Sequence, residues 1–421
     1  MNSIKTKKKI FDRRTFLSLT GGASAALILN TSYQAPTSSA VPVTYNSAVY
    51  NKVRIAIVGG RFGASFQFHE HPDCIVEAVS DLIPDRRERL MKVYKCSKSY
   101  PSLKTLLKDK AVDAVFLATP APDHANHVIE TLNAGKHVLC AVPLAMTLEE
   151  CQRVLNAVKR TGLTYMMAET SYYRQNVISV RKMYKDGNFG TIFRSAAQYH
   201  HPGLEELFFD ENKKPTWRHG LPPMLYPTHC TSLLISVTGE RLKRVNCIGW
   251  GDNSPLLKNN PYKNPFWNAT AQFETDKNHA FKMEVNWRGA LRGVERGEWE
   301  GTDMSFYSSQ GGPRPGDHIV VKYSDKIGFD DAGFKHKEPI VEPFNPVLWW
   351  KTDILPATLR HNSGHDGSHT FLTHEFVDAL VNNRKPVIDV YESLAYTVPG
   401  IVAHQSALKN GESMRVPDFG K

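Results

Sequence analysis

Proton chemistry near neutral pH calls for an imidazole, and the most suggestive one is His229, in "LYPTHCTSLL" at the head of an apolar run. Capping a helix is the plainer use of the same residue. Tyr173, in "MMAETSYYR", becomes a base only if cations lower its pKa, and Arg174 and Arg218 are the cations on offer. Without them it is a packed core aromatic. Arg218, in "TWRHG", presents the planar fork that grips sugar hydroxyls or a carboxylate, unless a surface ion pair claims its charge. His365 and His369, in "GHDGSHTF", stand four apart, a spacing that holds a metal on a helix face. Gly367 lies between them and no third ligand accompanies them, so no metal is expected and His365 is read as a substrate contact.

These side chains need a frame, and the first part of the chain has a regular one. "KVRIAIVGG", "CIVEAVSD", "VDAVFLATP" and "KHVLCAVP" are apolar, β-branched runs, with helical patterns such as "DRRERLMKVYKC" and "HANHVIETLNAG" between them. That alternation predicts βαβ units around a parallel sheet. The first run ends in the turn Gly59, Gly60, Arg61, Phe62, Gly63, and the second ends at Asp81. Such a turn lets backbone amides approach a pyrophosphate at a helix start, while the acid accepts from ribose hydroxyls. The strict G-x-G-x-x-G pattern is not met, because positions 61 and 64 are arginine and alanine. Asp81 favours NAD; Arg86 and Arg87 leave NADP open. Residues 151–185 hold helical patterns around "TYMMAETSYYR". The runs "TIFRSAAQYHH", "RVNCIGWG", "ATAQFETD" and "HAFKMEVNW" then alternate as antiparallel strands do. Residues 311–365 read as a Pro- and Gly-rich loop, and the tail as two amphipathic helices. The expected architecture is an α/β Rossmann domain with a parallel sheet over 41–170, then an α+β domain with an open, mostly antiparallel sheet over 171–421.

Bulk properties agree with two cores: 421 residues, 41% hydrophobic and 22% charged. No apolar run in the body is long enough to span a membrane, so no membrane partner is expected. The six scattered cysteines form no CxxC pair and read as buried free thiols. Residues 1–40 stand apart. "KTKKKIFDRRTFLSLTGGASAALIL" has a basic start, the pair Arg13-Arg14 and a short, weakly apolar stretch, with small residues near Ala40. This predicts a cleaved signal peptide of the twin-arginine kind, which exports folded proteins to the periplasm or beyond. Half of the formal net charge of +10 lies in that segment. What remains is a mild excess with no basic–aromatic stripe, so nucleic acid is not an expected partner.

With "AIVGGRFGASF", "AVSD", "VFLATPAPDHANHVIETLNAGKHVLCAVP" and "AMTLEE" in view, residues 53–150 resemble the N-terminal domain of the Gfo/Idh/MocA oxidoreductases. The resemblance implies a nicotinamide dinucleotide held at Gly59, Gly60, Arg61, Phe62, Gly63, Asp81, Thr119, Pro120, His124, Val142 and Pro143. It also implies a second domain that carries the substrate site and the contact of a homo-oligomer. One departure matters most. The family's Glu-Lys-Pro is here Ala141-Val142-Pro143, and valine cannot shuttle the proton that the lysine shuttles. "AVPLAMTLEEC", "MMAETSYYR" and "LYPTHCTSLL" are similar to the branch of NAD-dependent α-N-acetylgalactosaminidases, which also has valine before the proline. That similarity matches Tyr173 to the branch's catalytic tyrosine and Tyr226–His229 to its Tyr-Pro-Thr-His element; Tyr173 and His229 are expected to be catalytic, and Glu169, Arg218, Tyr226 and His365 to contact the substrate. It implies transient oxidation of a sugar carbon, elimination of the aglycone, addition of water and return of the hydride. Ala141 replaces the branch's glutamate and Thr170-Ser171-Tyr172 departs from its pattern, so the specificity for N-acetylgalactosamine does not carry over.

Three functions stay open: redox-neutral glycoside cleavage around a tightly held NAD, an ordinary sugar dehydrogenase with a non-lysine acid/base, and a non-catalytic exported sugar-binding module. Export weighs on the choice. Nicotinamide cofactors are not supplied outside the cytoplasm, so an exported enzyme must carry its own and regenerate it on the protein. Glycoside cleavage by transient oxidation does so, and so does hydride exchange between two sugars.

Overall fold

The computed structural model describes residues 52–201, 203–290, 293–311 and 316–420. The twin-arginine segment, residues 1–40, lies outside the described residues. The first sheet comprises β1 (Val53–Val58), β2 (Cys74–Ser80), β3 (Ser99–Tyr100), β4 (Ala114–Leu117), β5 (His137–Cys140) and β6 (Tyr165–Met167), in the order β3-β2-β1-β4-β5-β6. Every pairing in it is parallel. β4 and β5 are buried at all four positions each, as central strands covered on both faces must be. The crossovers include helices α1 (Pro84–Tyr94), α2 (His124–Asn133) and α3 (Leu148–Thr161). The "AMTLEE" stretch gains its meaning at the start of α3. Thr147 accepts from the Glu150 amide at 3.1 Å, and the Glu150 carboxylate accepts from the Thr147 amide at 3.1 Å. This capping box satisfies amides that the helix leaves orphaned. Gly162, at φ +65°, closes the far end.

Between α3 and α4 (Gln175–Lys185), the stretch read as helical contains β6 and a short 3-10 turn, Thr170–Tyr173. β6 pairs with β5 through Val138, Leu139 and Cys140, so tertiary pairing overrides the local helical pattern. The second sheet has nine strands: β7 (Ile192–His200), β8 (Leu242–Trp250), β9 (Asn268–Thr275), β10 (Ala280–Asn286), β11 (Val294–Gly301), β12 (Met304–Tyr307), β13 (His318–Phe329), β14 (Lys335–Phe344) and β15 (Met414–Arg415). Their order is β14-β13-β12-β11-β7-β10-β9-β8-β15, antiparallel except where β10 runs parallel to β7. Against this sheet packs α5 (Thr228–Thr238), buried at every position but Ser236.

The segment 311–365 is not the expected loop, because β13 and β14 form a long hairpin there. Pro339 and Pro343 argue against a strand in the sequence, but β14 is the edge strand, where prolines are tolerated. The tail forms α6 (Ser368–Val381) and α7 (Val390–Leu408), both buried over most of their surface rather than one-sided. Thr397 of α7 accepts from the Leu144 amide at 3.3 Å, so the C-terminal helix returns to the segment that follows β5. All six cysteines are buried and free. No helix of the described residues is long and apolar enough to cross a membrane.

Candidate active site

The glycine turn after β1 is shaped by contacts that exclude side chains. A Cβ on Gly59 would lie 2.3 Å from the Ala118 carbonyl oxygen, and one on Gly60 would lie 2.5 Å from that of Arg86. Gly59 also has φ +105°, which a side chain rarely adopts. Asp81, at the end of β2, accepts from the Gly60 amide at 2.7 Å and from the Ile83 amide at 2.8 Å. Its carboxylate is thus fixed at the turn while retaining lone pairs toward solvent, as a ribose acceptor requires. A dinucleotide fits these residues. Phe62 and Gly63 lie in the short turn Phe62–Ser65, with Arg61 exposed just before it.

His124 has a different use. Its Nδ1 faces the Pro143 carbonyl at 2.7 Å and its Nε2 the Thr119 carbonyl at 2.8 Å, with the ring fully buried. Burial holds its pKa below the usual imidazole value against the pull of both carbonyls. The ring thus sits between the loop after β4, Thr119-Pro120, and the Val142-Pro143 segment, donating its single N–H to one of the two carbonyls. His124 shapes the nucleotide side of the site through the backbone. Val142 is buried in the main core. Lys136, six residues upstream, does not replace the missing lysine, because its ammonium donates to the Asp109 and Val112 carbonyls at 2.6 and 2.8 Å.

Behind this seam lies a buried ionic cluster. Glu169, just past β6, is completely buried, and its Oε1 is 2.8 Å from His229 Nδ1 at the start of α5. The same oxygen accepts from the Ser171 amide at 2.8 Å. Ser171 Oγ lies 3.0 Å from His229 Nδ1 and donates to Glu295 of β11 at 2.5 Å. Arg174 grips Glu295 with two bonds of 2.6 Å each. Burial disfavours charge on both partners of the central pair. Even so, the attraction and hydrogen bond between them raise the His229 pKa above the ordinary value and lower that of Glu169. Burial likewise opposes ionisation of Glu295, but the Arg174 guanidinium wins and holds it at about 2. With Glu169 fixing Nδ1–H, the His229 lone pair falls on Nε2, the arrangement of a general base oriented by a carboxylate.

Aromatic rings wall this base. Tyr199 of β7 stands 4.6 Å from the His229 ring and Tyr226 5.3 Å, centroid to centroid. Arg218 stacks on Trp217 at 4.1 Å, and its guanidinium feels Tyr226, Arg61 and Tyr199. Arg218 has no acidic partner among the described residues, so the surface ion pair considered from the sequence is absent. A cavity of about 410 Å³ opens beside the cluster, with Tyr199, Arg174, Glu295 and His365 in its wall. His365 and His369 bond each other at 2.7 Å instead of converging on an ion.

The structure reverses the expected environment of Tyr173. Its ring stacks on Phe371 at 5.2 Å beside a small apolar cluster with Leu355 and Leu359. Arg174 is engaged by Glu295, and the cations that reach Tyr173 are Arg181 and Arg384. Burial, with Glu375 and Tyr172, raises its phenol well above the ordinary value. Tyr173 therefore keeps its proton at neutral pH, and the cations expected to lower its pKa are not the ones beside it. Sequence reasoning missed Ser171, Tyr199 and Glu295 as members of the site.

Residues 53–169 match the Gfo/Idh/MocA model, described as an oxidoreductase family with an NAD-binding Rossmann fold. Residues 317–421 match the C-terminal domain of glycosyl hydrolase 109. The chain is 26% identical to a glycosyl hydrolase family 109 protein of Shewanella pealeana, covering 97% of this chain and 96% of that one. It is 24% identical to an alpha-N-acetylgalactosaminidase of Shewanella oneidensis, covering 97% and 95%. In fold it is similar to an NAD-binding oxidoreductase from Klebsiella pneumoniae, with a TM-score of 0.68 at 17% identity over 87% of this chain and 100% of that one. Levoglucosan dehydrogenase in complex with NADH gives a TM-score of 0.67 at 18% identity, with the same coverage.

Proposed function

Because residues 53–169 match the NAD-binding Gfo/Idh/MocA oxidoreductase model and residues 317–421 match the C-terminal domain of glycosyl hydrolase 109, we propose that the protein cleaves a glycoside by transient, redox-neutral oxidation of a sugar carbon. The observation that carries this reading is the buried His229–Glu169 pair at 2.8 Å, an oriented imidazole in a site whose lysine position is Val142. When bound, a nicotinamide dinucleotide supplies a reversible two-electron acceptor for the sugar carbinol. Gly59, Gly60 and Gly63 admit it, Asp81 takes its ribose, and Thr119, Pro120, Val142 and Pro143 border it. His229 Nε2 receives the hydroxyl proton of the carbon being oxidised and returns a proton later in the cycle. Tyr173 keeps its proton and acts as a donor, while Arg218 and Tyr226 orient the sugar.

The alpha-N-acetylgalactosaminidase among the relatives supports an α-glycoside of an acetamido sugar as the first substrate to try. An exported location, with the nucleotide carried tightly through, completes the proposal. The test is hydrolysis of a panel of aryl glycosides without added nucleotide, by wild type and His229→Gln. Aglycone release by wild type and a loss of about 10²–10⁴-fold in the variant are expected. A variant as fast as wild type refutes the role of His229. Release of a keto-sugar that stops without an electron acceptor identifies a plain dehydrogenase.

A further inference from the structure

Transient oxidation moves two substrate protons, one from the hydroxyl and one from the neighbouring carbon, and His229 accounts for only the first. A second acceptor is set up where the segment before α6 clasps the glycine turn. His369 Nδ1 lies 2.7 Å from the Ser65 carbonyl oxygen, and His369 Nε2 lies 2.7 Å from His365 Nδ1. A carbonyl only accepts, so His369 Nδ1 carries its proton and, in a neutral ring, Nε2 is the lone pair. That lone pair must take its hydrogen from His365 Nδ1. The free lone pair of His365 then falls on Nε2, the ring nitrogen not engaged by His369.

Several features place this imidazole beside the site. His365 is in the wall of the cavity beside Glu295 and Tyr199. Its ring meets Phe62 of the glycine turn edge-on at 5.9 Å, and the charges of Glu295, His229, Arg174 and Glu169 reach it. His369 is locked in turn: it stacks on Phe66 at 4.3 Å, and a Cβ on Gly364 would lie 2.4 Å from its ring. Enclosure lowers both imidazoles to about 4, so both are neutral where the deduction requires it. The backbone is left-handed at His365, Asp366 and Gly367, with φ of +51°, +59° and +83°. Non-glycine residues hold that conformation at a cost, which recurs where a side chain must be presented.

We propose that His365 Nε2 is the second proton acceptor of the site, fixed as an acceptor by the positioning residue His369. This rests on the redox-neutral reading. In the step assigned to it, the C–H bond next to the ketone carbon breaks and its proton moves to His365 Nε2. The bonding pair stays on the substrate as the enolate, so no electrons leave. That pair then forms the carbon–carbon double bond as the bond to the aglycone oxygen breaks, and the proton held on His229 goes to that oxygen.

The experiment has two arms on the full chain with its nucleotide. In the first, histidine-labelled protein at neutral pH is examined by long-range proton–nitrogen correlation NMR, with His365→Asn to assign the signal. The expected His365 spectrum is a neutral ring protonated on Nδ1, and His369→Phe is expected to release that tautomer. A ring protonated on Nε2, or on both nitrogens, overturns the assignment. The second arm follows deuterium uptake from D₂O at the carbon next to the oxidised one. His365→Asn is expected to slow it by about 10²–10⁴-fold with nucleotide retention unchanged. Uptake at the wild-type rate overturns the proposal. If wild type itself takes up no deuterium, the redox-neutral reading fails, while the NMR arm still decides where the lone pair lies.

Discussion

Replacing Glu169 by glutamine changes one atom of the site and removes its central negative charge. The carboxylate is wholly buried and meets His229 Nδ1 at 2.8 Å, so the pair is screened very little by water. Removing one partner of a buried ion pair typically costs about 3–5 kcal/mol of stability. Losing the carboxylate that orients the imidazole should separately lower kcat/KM by about 10²–10⁴-fold, the usual worth of a positioned base. The amide can also turn its NH₂ toward Nδ1 and favour the wrong tautomer. The sign of the pH effect follows from the same pair. Glu169 raises the His229 pKa, so the active, neutral imidazole appears as pH rises through a value above the ordinary 6.5. In Glu169→Gln the rising limb of kcat/KM therefore moves toward lower pH while the plateau falls. Stability runs the other way: the protonated pair stabilises the fold below the folded-state His229 pKa and loses that contribution as pH rises through it. The assay is aryl glycoside cleavage across pH, with thermal unfolding as the control for folding. A plateau close to wild type, or a limb that stays in place, would refute the oriented-base argument.

Asp81→Ala removes the acceptor fixed 2.7 Å from the Gly60 amide and should weaken nucleotide retention by about 1–3 kcal/mol, read as co-purifying NAD(H) per chain. Gly60→Ala forces a Cβ to within 2.5 Å of the Arg86 carbonyl, so it should lower both Tm and nucleotide content; an unchanged Tm would show that the turn gives way easily. Val142→Lys places an ammonium in the buried core, where it is costly to desolvate. It should destabilise the protein without raising sugar oxidation, and a clear gain in oxidation would mark the valine as a simple loss in a plain dehydrogenase. Glu295 has a depressed pKa, so it stabilises the fold above its ordinary value of 4.5 and loses that contribution as pH falls toward about 2. Glu295→Gln should therefore unfold at lower Tm at neutral pH and show a flatter acid limb in a Tm–pH series.

The parallel sheet was readable because β1, β4 and β5 are largely apolar runs closed by glycine, proline or a helix start. The glycine turn and Asp81 lie within that same local grammar. The proton cluster was only half readable. His229 and Glu169 announce themselves by residue type, but Glu295 lies in "GVERGEWEG", where several acids alternate and only the pairing of β11 with β7 selects one to face Arg174. Tyr173 misled because Arg174 adjoins it in sequence, whereas the bidentate bond to Glu295 turns that cation to another task. His369 was weighed only as a metal ligand; its bond to the Ser65 carbonyl, far away in sequence, is purely tertiary. The β13–β14 hairpin was hidden by prolines that only an edge strand accepts.

The central claim is that the sugar is oxidised and then restored on one protein, with proton transfers run by imidazoles instead of a lysine. One measurement tests it most directly: single-batch turnover of a cleavable glycoside in D₂O, with no nucleotide added and the redox state of the bound nucleotide followed throughout. The account predicts many turnovers per chain, no net reduced nucleotide, and a released sugar carrying deuterium at the carbon next to the one oxidised. One equivalent of reduced nucleotide per chain, with a keto-sugar and no deuterium at that carbon, would contradict it.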